Sequence, residues 1–199
     1  MTLALNRNVL VERFGATEGT ALRAKQALLV VLGIAVLAIA AKIRVPMWPV
    51  PITMGTFAVL TLGAAYGARL GLVTILGYML VGALGFDVFA GSSAEKFGLT
   101  YMMGGTGGYL LGYVLATVAL GVLARAGWDR SAPKMALAMI VGNVIIYVPG
   151  LIWLGMLYGW DKPILEWGLT PFLVGDALKL ALAAGLLPLV WKLVGDARG

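Results

Sequence analysis

Two ionisable side chains, Asp176 and Lys179, lie inside the apolar stretch Thr170 to Trp191, TPFLVGDALKLALAAGLLPLVW. A charge at the centre of a membrane helix disfavours insertion by about 2.5–3.5 kcal/mol, so such groups persist where they face protein, water or a partner. Their spacing of three residues puts both on one helical face. They can neutralise each other in an empty site, then exchange that pairing for a ligand that carries hydrogen-bond donors and acceptors. A purely structural ion pair is the competing reading. In the preceding apolar stretch Asn143 and Tyr147 stand one turn apart. There they either join two helices through a hydrogen bond worth about 1 kcal/mol or contact the same ligand. The run Gly104-Gly105-Thr106-Gly107-Gly108-Tyr109 opens a further helix with bare backbone N–H groups. These suit an anion, although glycine runs also let helices pack closely.

The chemistry open to these groups is narrow. The chain has no Cys and no His, so it lacks thiolate ligands, disulfides and the commonest metal ligand and proton shuttle. No metal or cofactor is expected. There is no Walker A pattern, and no Ser/His or Cys/His pair for acyl transfer. An enzyme would rest on Asp176 and Lys179 alone, so a binding site rather than a catalytic one is expected.

The elements that must position these residues belong to a membrane. Of 199 residues 61% are hydrophobic and 12% charged, far from the roughly 45–50% and 25% of soluble domains. The length allows about six spans of ~20 residues with short loops. The expected fold is all-α, an integral membrane bundle of six transmembrane helices, with a polar arm over 1–23, a six-helix membrane domain over 24–195 and a tail over 196–199. The arm carries Asn6, Arg7, Glu12, Arg13 and Glu18 and no apolar core, which does not fit a signal peptide. Spans are expected near 24–43, 54–66, 70–86, from the glycine run to 125, 135–157 and 170–191.

Between the first two spans lies RVPMWPVPIT, where Pro46, Pro49 and Pro51 forbid a regular helix and favour extended backbone. Trp48 at its middle is either an interface anchor or a lid over a pocket. A tight turn with Gly67 and Arg69 separates the second and third spans, and 87–103 is the longest polar insertion. Thr170-Pro171 reads as an N-cap followed by Pro at the first helical position. Ala35, Ala38 and Ala41 make a small-residue edge on the first span, suited to close helix approach by a partner or within the monomer.

Alternate loops carry ten Lys and Arg residues on one side (Arg7, Arg13, Arg23, Lys25, Arg69, Arg125, Arg130, Lys134, Lys192, Arg198) and four on the other (Lys42, Arg44, Lys96, Lys162). The positive-inside rule then puts both termini in the cytoplasm. The net charge of +6 is spread through loops rather than gathered on a stripe, so the lipid bilayer and no nucleic acid is the expected partner. Counted at 1.5 Å per residue, Asp176, Lys179 and Tyr147 share one layer below the outer rim.

The segments VPMWPVPITMGTFAVL (45–60), GARLG (67–71), VFAG (88–91) and GGTGGYLLGY (104–113), with Asp176 and Lys179 in the last span, resemble the BioY family of biotin transporters from Lys42 onward. That resemblance implies a substrate-binding component of an energy-coupling-factor transporter in a bacterial or archaeal cytoplasmic membrane. It would capture biotin from outside and be driven by a transmembrane coupling protein and two ATPase subunits. With biotin as ligand, Asp176 can accept from a ureido N–H, and Lys179 and Asn143 can donate to its carbonyl or carboxylate, with either end of biotin open to Asp176. Tyr147 and Trp48 would pack on its rings, the helix start at Thr106, Gly107 and Tyr109 would receive its tail, and Ala35, Ala38 and Ala41 would meet the coupling protein. A proton-coupled secondary transporter of a small carboxylate or vitamin is the alternative, since Asp176 with Lys179 can exchange a proton.

Overall fold

The computed structural model describes residues 8–91 and 97–196. Arg7, Lys96 and Arg198 of the charge count, Ser92 to Glu95 of the insertion, and 197–199 of the tail lie outside the described residues. The elements are α1 (Gly19–Lys42), β1 (Arg44–Val45), β2 (Ile52–Thr53), α2 (Gly55–Ala83), α3 (Gly98–Met102), α4 (Gly107–Arg125), α5 (Ala132–Tyr158), α6 (Ile164–Gly168) and α7 (Leu173–Asp196). Single 3-10 turns occupy Leu10–Arg13, Trp128–Arg130 and Thr170–Phe172.

Among the described residues five helical stretches are long and apolar enough to cross a membrane: Gly19–Lys42, Gly55–Ala83, Gly107–Arg125, Ala132–Tyr158 and Ile164–Gly195. They are apolar on all faces, as a lipid-embedded helix must be. Leu28, Val31, Ile39, Val148 and Leu178 accordingly point outward and stay exposed. This is a multi-pass membrane protein.

The second of these stretches is broken. Gly67 has φ 76° and ψ 171°, a non-helical conformation within α2 that strains any residue with a side chain. A Cβ on Gly71 would lie 3.6 Å from the Cα of Gly63, whereas eight residues of straight helix would separate them by about 12 Å. The chain therefore folds back at Gly67, where the sequence places its tight turn, and 55–66 and 68–83 run as two arms.

Inside lipid there is little hydrophobic force between helices, so close packing of small residues holds the bundle. α4 is its central member, packed on α2 and α5. A Cβ on Gly121 would lie 2.2 Å from the backbone N of Ala68, and one on Gly108 would lie 2.3 Å from the carbonyl O of Pro149. The glycines of α4 thus serve two neighbours.

At the end opposite the β-hairpin, the N-terminal arm is seated rather than free. Val9 is fully buried and touches the Gly67 turn. Glu12 pairs with Arg125 at 2.5 Å. Arg130 donates to the carbonyl of Asn8 at 3.1 Å and lies over the Trp191 ring, 4.4 Å from its centroid. Trp191 in turn donates to Asp129 at 2.5 Å. α1 begins at Gly19, inside the expected arm, because its first turn is helical while still polar.

Gly121→Val should destabilise the protein by about 1–3 kcal/mol, since the new methyls meet backbone that cannot rotate away. Gly185→Ala, where a Cβ meets nothing within 4 Å, should leave stability unchanged. Melting curves of the two variants in one detergent compare them directly, and equal melting temperatures would contradict the close α2–α4 contact.

Candidate functional site

α7 delivers the two charged groups. Its entry differs in one detail from the expected cap: Thr170 Oγ1 donates back to the carbonyl of Leu165 at 3.2 Å, and no side chain caps the 3-10 turn. Asp176 and Lys179 follow at 5% and 7% exposure, with Lys179 Nζ 3.0 Å from Asp176 Oδ1. Buried charges survive only when paired and hydrogen-bonded, and two other helices meet that need. Tyr147 on α5 donates its hydroxyl to Asp176 Oδ2. Thr56 on α2 accepts from Lys179 Nζ at 2.9 Å and sits 3.4 Å from Asp176 Oδ1 as a donor. An ammonium has three N–H donors, and two are engaged. The third is available to the cavity that Lys179 lines.

That cavity, with the open solvent at its mouth, encloses about 650 Å³ of non-atom space. Its polar groups come from Lys179, Tyr147, Thr56, Thr53 and Thr106, the first three gathered by their hydrogen bonds around Asp176. Asp176 is not in the wall; it stands behind Lys179 and Tyr147 and orients both. The Thr106 hydroxyl is buried without a hydrogen-bond partner, and a buried polar atom left unpaired beside an empty space is a place for a ligand atom.

Much of the remaining lining is aromatic. Phe89, 1% exposed, stacks on Tyr101 with centroids 5.0 Å apart and meets the edge of Tyr78 at 5.3 Å. It occupies space that Gly82 leaves, since a Cβ there would fall 2.1 Å from its ring. Lys42 secures this loop, donating to Asp87 Oδ1 at 2.5 Å and to the Phe89 carbonyl at 2.8 Å. Tyr109 also lines the cavity, its hydroxyl donating to the carbonyl of Gly168 at 2.8 Å.

The proline-rich segment is the roof. β1 and β2 pair antiparallel, Arg44 with Thr53 and Val45 with Ile52, and between them Val50 and Pro51 face the cavity. Trp48 does not line it. It is 65% exposed and rests edge-on against Trp167 at 5.0 Å and Tyr158 at 5.5 Å, tying the roof to the far side of the bundle.

The remaining expected positions separate. Asn143 lies one turn along α5 from Tyr147, outside the cavity lining, with its Oδ1 buried and unpartnered. Gly107 is also outside the lining; a Cβ there would lie 2.4 Å from the Met102 carbonyl, so it serves packing. On α1, Ala35 is exposed, Ala38 half-buried, and Ala41 buried and part of the cavity wall. A spacing of three lags the helical repeat of 3.6, so the three alanines spiral from the surface into the site. Thr56, Tyr113 and the Tyr78, Phe89, Tyr101 group were not singled out from sequence. Tyr113, which lines the cavity, stands four residues from Tyr109 on α4, the same spacing that marked Asn143 and Tyr147, and would have been found by applying that rule again.

Removing one member of a buried ion pair typically costs about 3–5 kcal/mol, because the other is left charged and alone. Asp176→Asn and Lys179→Met should each lower the stability of the ligand-free protein, and the double variant should lose clearly less than the sum. Denaturant titrations of all four proteins measure the coupling, and additive losses would mean that the two groups do not act as a unit.

The geometry can be set beside proteins already characterised. The profile of the BioY family matches residues 15–196. A protein of Pyrococcus horikoshii named "Probable biotin transporter BioY" is 36% identical over 162 residues, 81% of this chain and 93% of its own length. The "Biotin transporter BioY" of Thermotoga maritima is 32% identical over 150 residues, 75% and 86% of the two chains. A crystal structure of the S-component for biotin from an ECF-type ABC transporter superposes with a TM-score of 0.74, at 19% identity, over 88% of this chain and 95% of that one; at that identity it speaks for the fold. Family profile, relatives above 30% identity along most of their length, and shared fold agree: the chain belongs to the BioY family.

Proposed function

We propose that this protein captures biotin from outside the cell and delivers it inward as the S component of an energy-coupling-factor transporter, together with a transmembrane coupling protein and ATPase subunits. The observation that carries the proposal is the cavity itself. Its lining combines a donor from Lys179, hydroxyls of Thr56 and Tyr147 and the unpartnered Thr106 hydroxyl with the aromatic group of Tyr78, Phe89 and Tyr101. Biotin can use both kinds of lining: its ureido group or its carboxylate can meet the polar groups, and its apolar thiophane ring and alkyl chain can lie against the aromatic rings. Asp176, Lys179, Tyr147, Thr106 and Tyr109 are the proposed biotin contacts or their immediate supports, with Trp48 holding the roof shut.

The two arms of α2, counted separately with the other four long helices, make six crossings. The excess of Lys and Arg at the end away from the roof favours cytoplasmic termini and a roof that faces outward in a bacterial or archaeal cytoplasmic membrane. In that orientation the site opens toward its source of ligand. The coupling protein is proposed to dock on the lipid-facing side of α1 around Ala35, the exposed member of the alanine series.

Calorimetry on the solubilised protein should show Lys179→Met weakening biotin binding by about 1.5–3 kcal/mol and Thr106→Val by about 0.5–1.5 kcal/mol, the ranges for charged and neutral hydrogen bonds. Unchanged affinity in both folded variants would remove biotin from this cavity.

Uptake into proteoliposomes should require the coupling protein and ATP. Ala35→Trp should abolish that uptake while sparing biotin affinity, because a bulky side chain blocks close helix approach. Accumulation by the isolated chain on a proton gradient would instead establish the secondary-transport alternative.

A further inference from the structure

A second concavity opens on the outside of the bundle. α1 packs on α2, and α7 packs on α5 and α2, which leaves a seam between the hairpin end of α1 and the start of α7. The seam is a groove with about 750 Å³ of empty space, walled by Ile43, Val45, Ile52, Met54, Leu178 and Leu182. Ile43, Val45, Leu178 and Leu182 are exposed, so the groove faces the surface that a bilayer covers.

Its polarity is graded. Arg44 stands at the rim, exposed, and among the described residues it has no carboxylate within ion-pair distance. From Gly175 to Leu182 the α7 wall descends by about 10 Å at 1.5 Å per residue and is apolar except for Lys179. A cation at the interface above an apolar slot follows the direction of a phospholipid, phosphate first and acyl chain below. Lys42 does not compete for the phosphate, being engaged with Asp87 and the Phe89 carbonyl.

We infer that the groove binds an anionic phospholipid, its phosphate on Arg44 and one acyl chain along Leu178 and Leu182. This site is distinct from the ligand cavity yet adjoins it, for Lys179 and Thr53 line both. The partition between them is one layer of side chains. An acyl chain on the outer side of that layer keeps water from the Lys179 ammonium and strengthens its attraction to Asp176, since charge interactions grow as the local dielectric falls. The lipid is thus a structural part of the cavity wall.

Native mass spectrometry of protein extracted, without biotin, from bilayers of equal phosphatidylglycerol and phosphatidylcholine tests the inference independently of the ligand's identity. The wild type should retain one phosphatidylglycerol in about fivefold preference, the effect of one basic residue at a membrane surface. Arg44→Gln should lose the preference and Arg44→Lys should keep it. Gly175→Leu should lose both lipids by filling the groove, since a Cβ there makes only ordinary contact, at 3.8 Å from Ile52. Equal retention of the two lipids by the wild type would overturn the inference, as would an unchanged preference in Arg44→Gln. Displacement of the lipid by saturating biotin would overturn it too, by making the groove part of the ligand's own path.

Discussion

The structure depends on one constraint: two full charges placed within hydrocarbon must be neutralised by groups from elsewhere in the chain. Asp176 and Lys179 neutralise each other, but a bare pair would leave carboxylate lone pairs and ammonium protons unsatisfied, at a cost that can exceed the Coulombic gain. Tyr147 and Thr56 make up the difference. They come from α5 and α2, so satisfying α7 fixes the positions of three helices at one level of the bundle. The start of α2 is in turn the end of the hairpin, and the roof is held over the cavity by the same requirement. A ligand that takes a donor from Lys179 enters a network already tuned to the loss or gain of single hydrogen bonds.

Space for the cavity comes from an uneven distribution of side-chain size. Toward the Gly67 turn the helices meet through glycine, with Gly63 on Thr117 and Gly121 on Ala68, and no room is left between them. Toward the roof α4 still meets α5 through Gly108, and room is left where rings stand between other elements, held by hydroxyl bonds such as Tyr109 on α4 to Gly168 on α6 and Tyr78 on α2 to Val88 in the loop that follows. A membrane bundle lacks the hydrophobic force that collapses soluble cores. Tight and open contacts can therefore coexist in one bundle.

Much of this was legible in the sequence, for identifiable reasons. Apolar runs of spanning length, the Gly67 turn and the proline-stiffened segment are local properties and appear where composition places them. Asp176 and Lys179 were conspicuous because lipid tolerates neither. Thr56 was not, because a threonine in an apolar helix can bond its own backbone and raises no alarm; only the fold brings it to Lys179. Trp48 and Asn143 show the converse limit. Both are polar or amphipathic residues near the site in sequence, but the twist of the hairpin turns Trp48 onto Trp167 and one helical turn carries Asn143 past the cavity. The alanines of α1 looked like one edge in a linear string, and the helical repeat turns them through different surroundings.

The seated N-terminal arm bears on how the molecule is made. On the proposed orientation, Arg125 and Arg130 belong to the inner cations whose count decides which loops cross the bilayer. That decision is taken during insertion, before helices have met. In the finished bundle the same two residues are fasteners, Arg125 to Glu12 and Arg130 to the Asn8 carbonyl and the Trp191 ring. One pair of side chains thus acts at two stages of biogenesis, first as an address read by the insertion machinery and later as a clasp that closes the inner face. Losing Arg125 would disturb both stages, and losing Glu12 only the second.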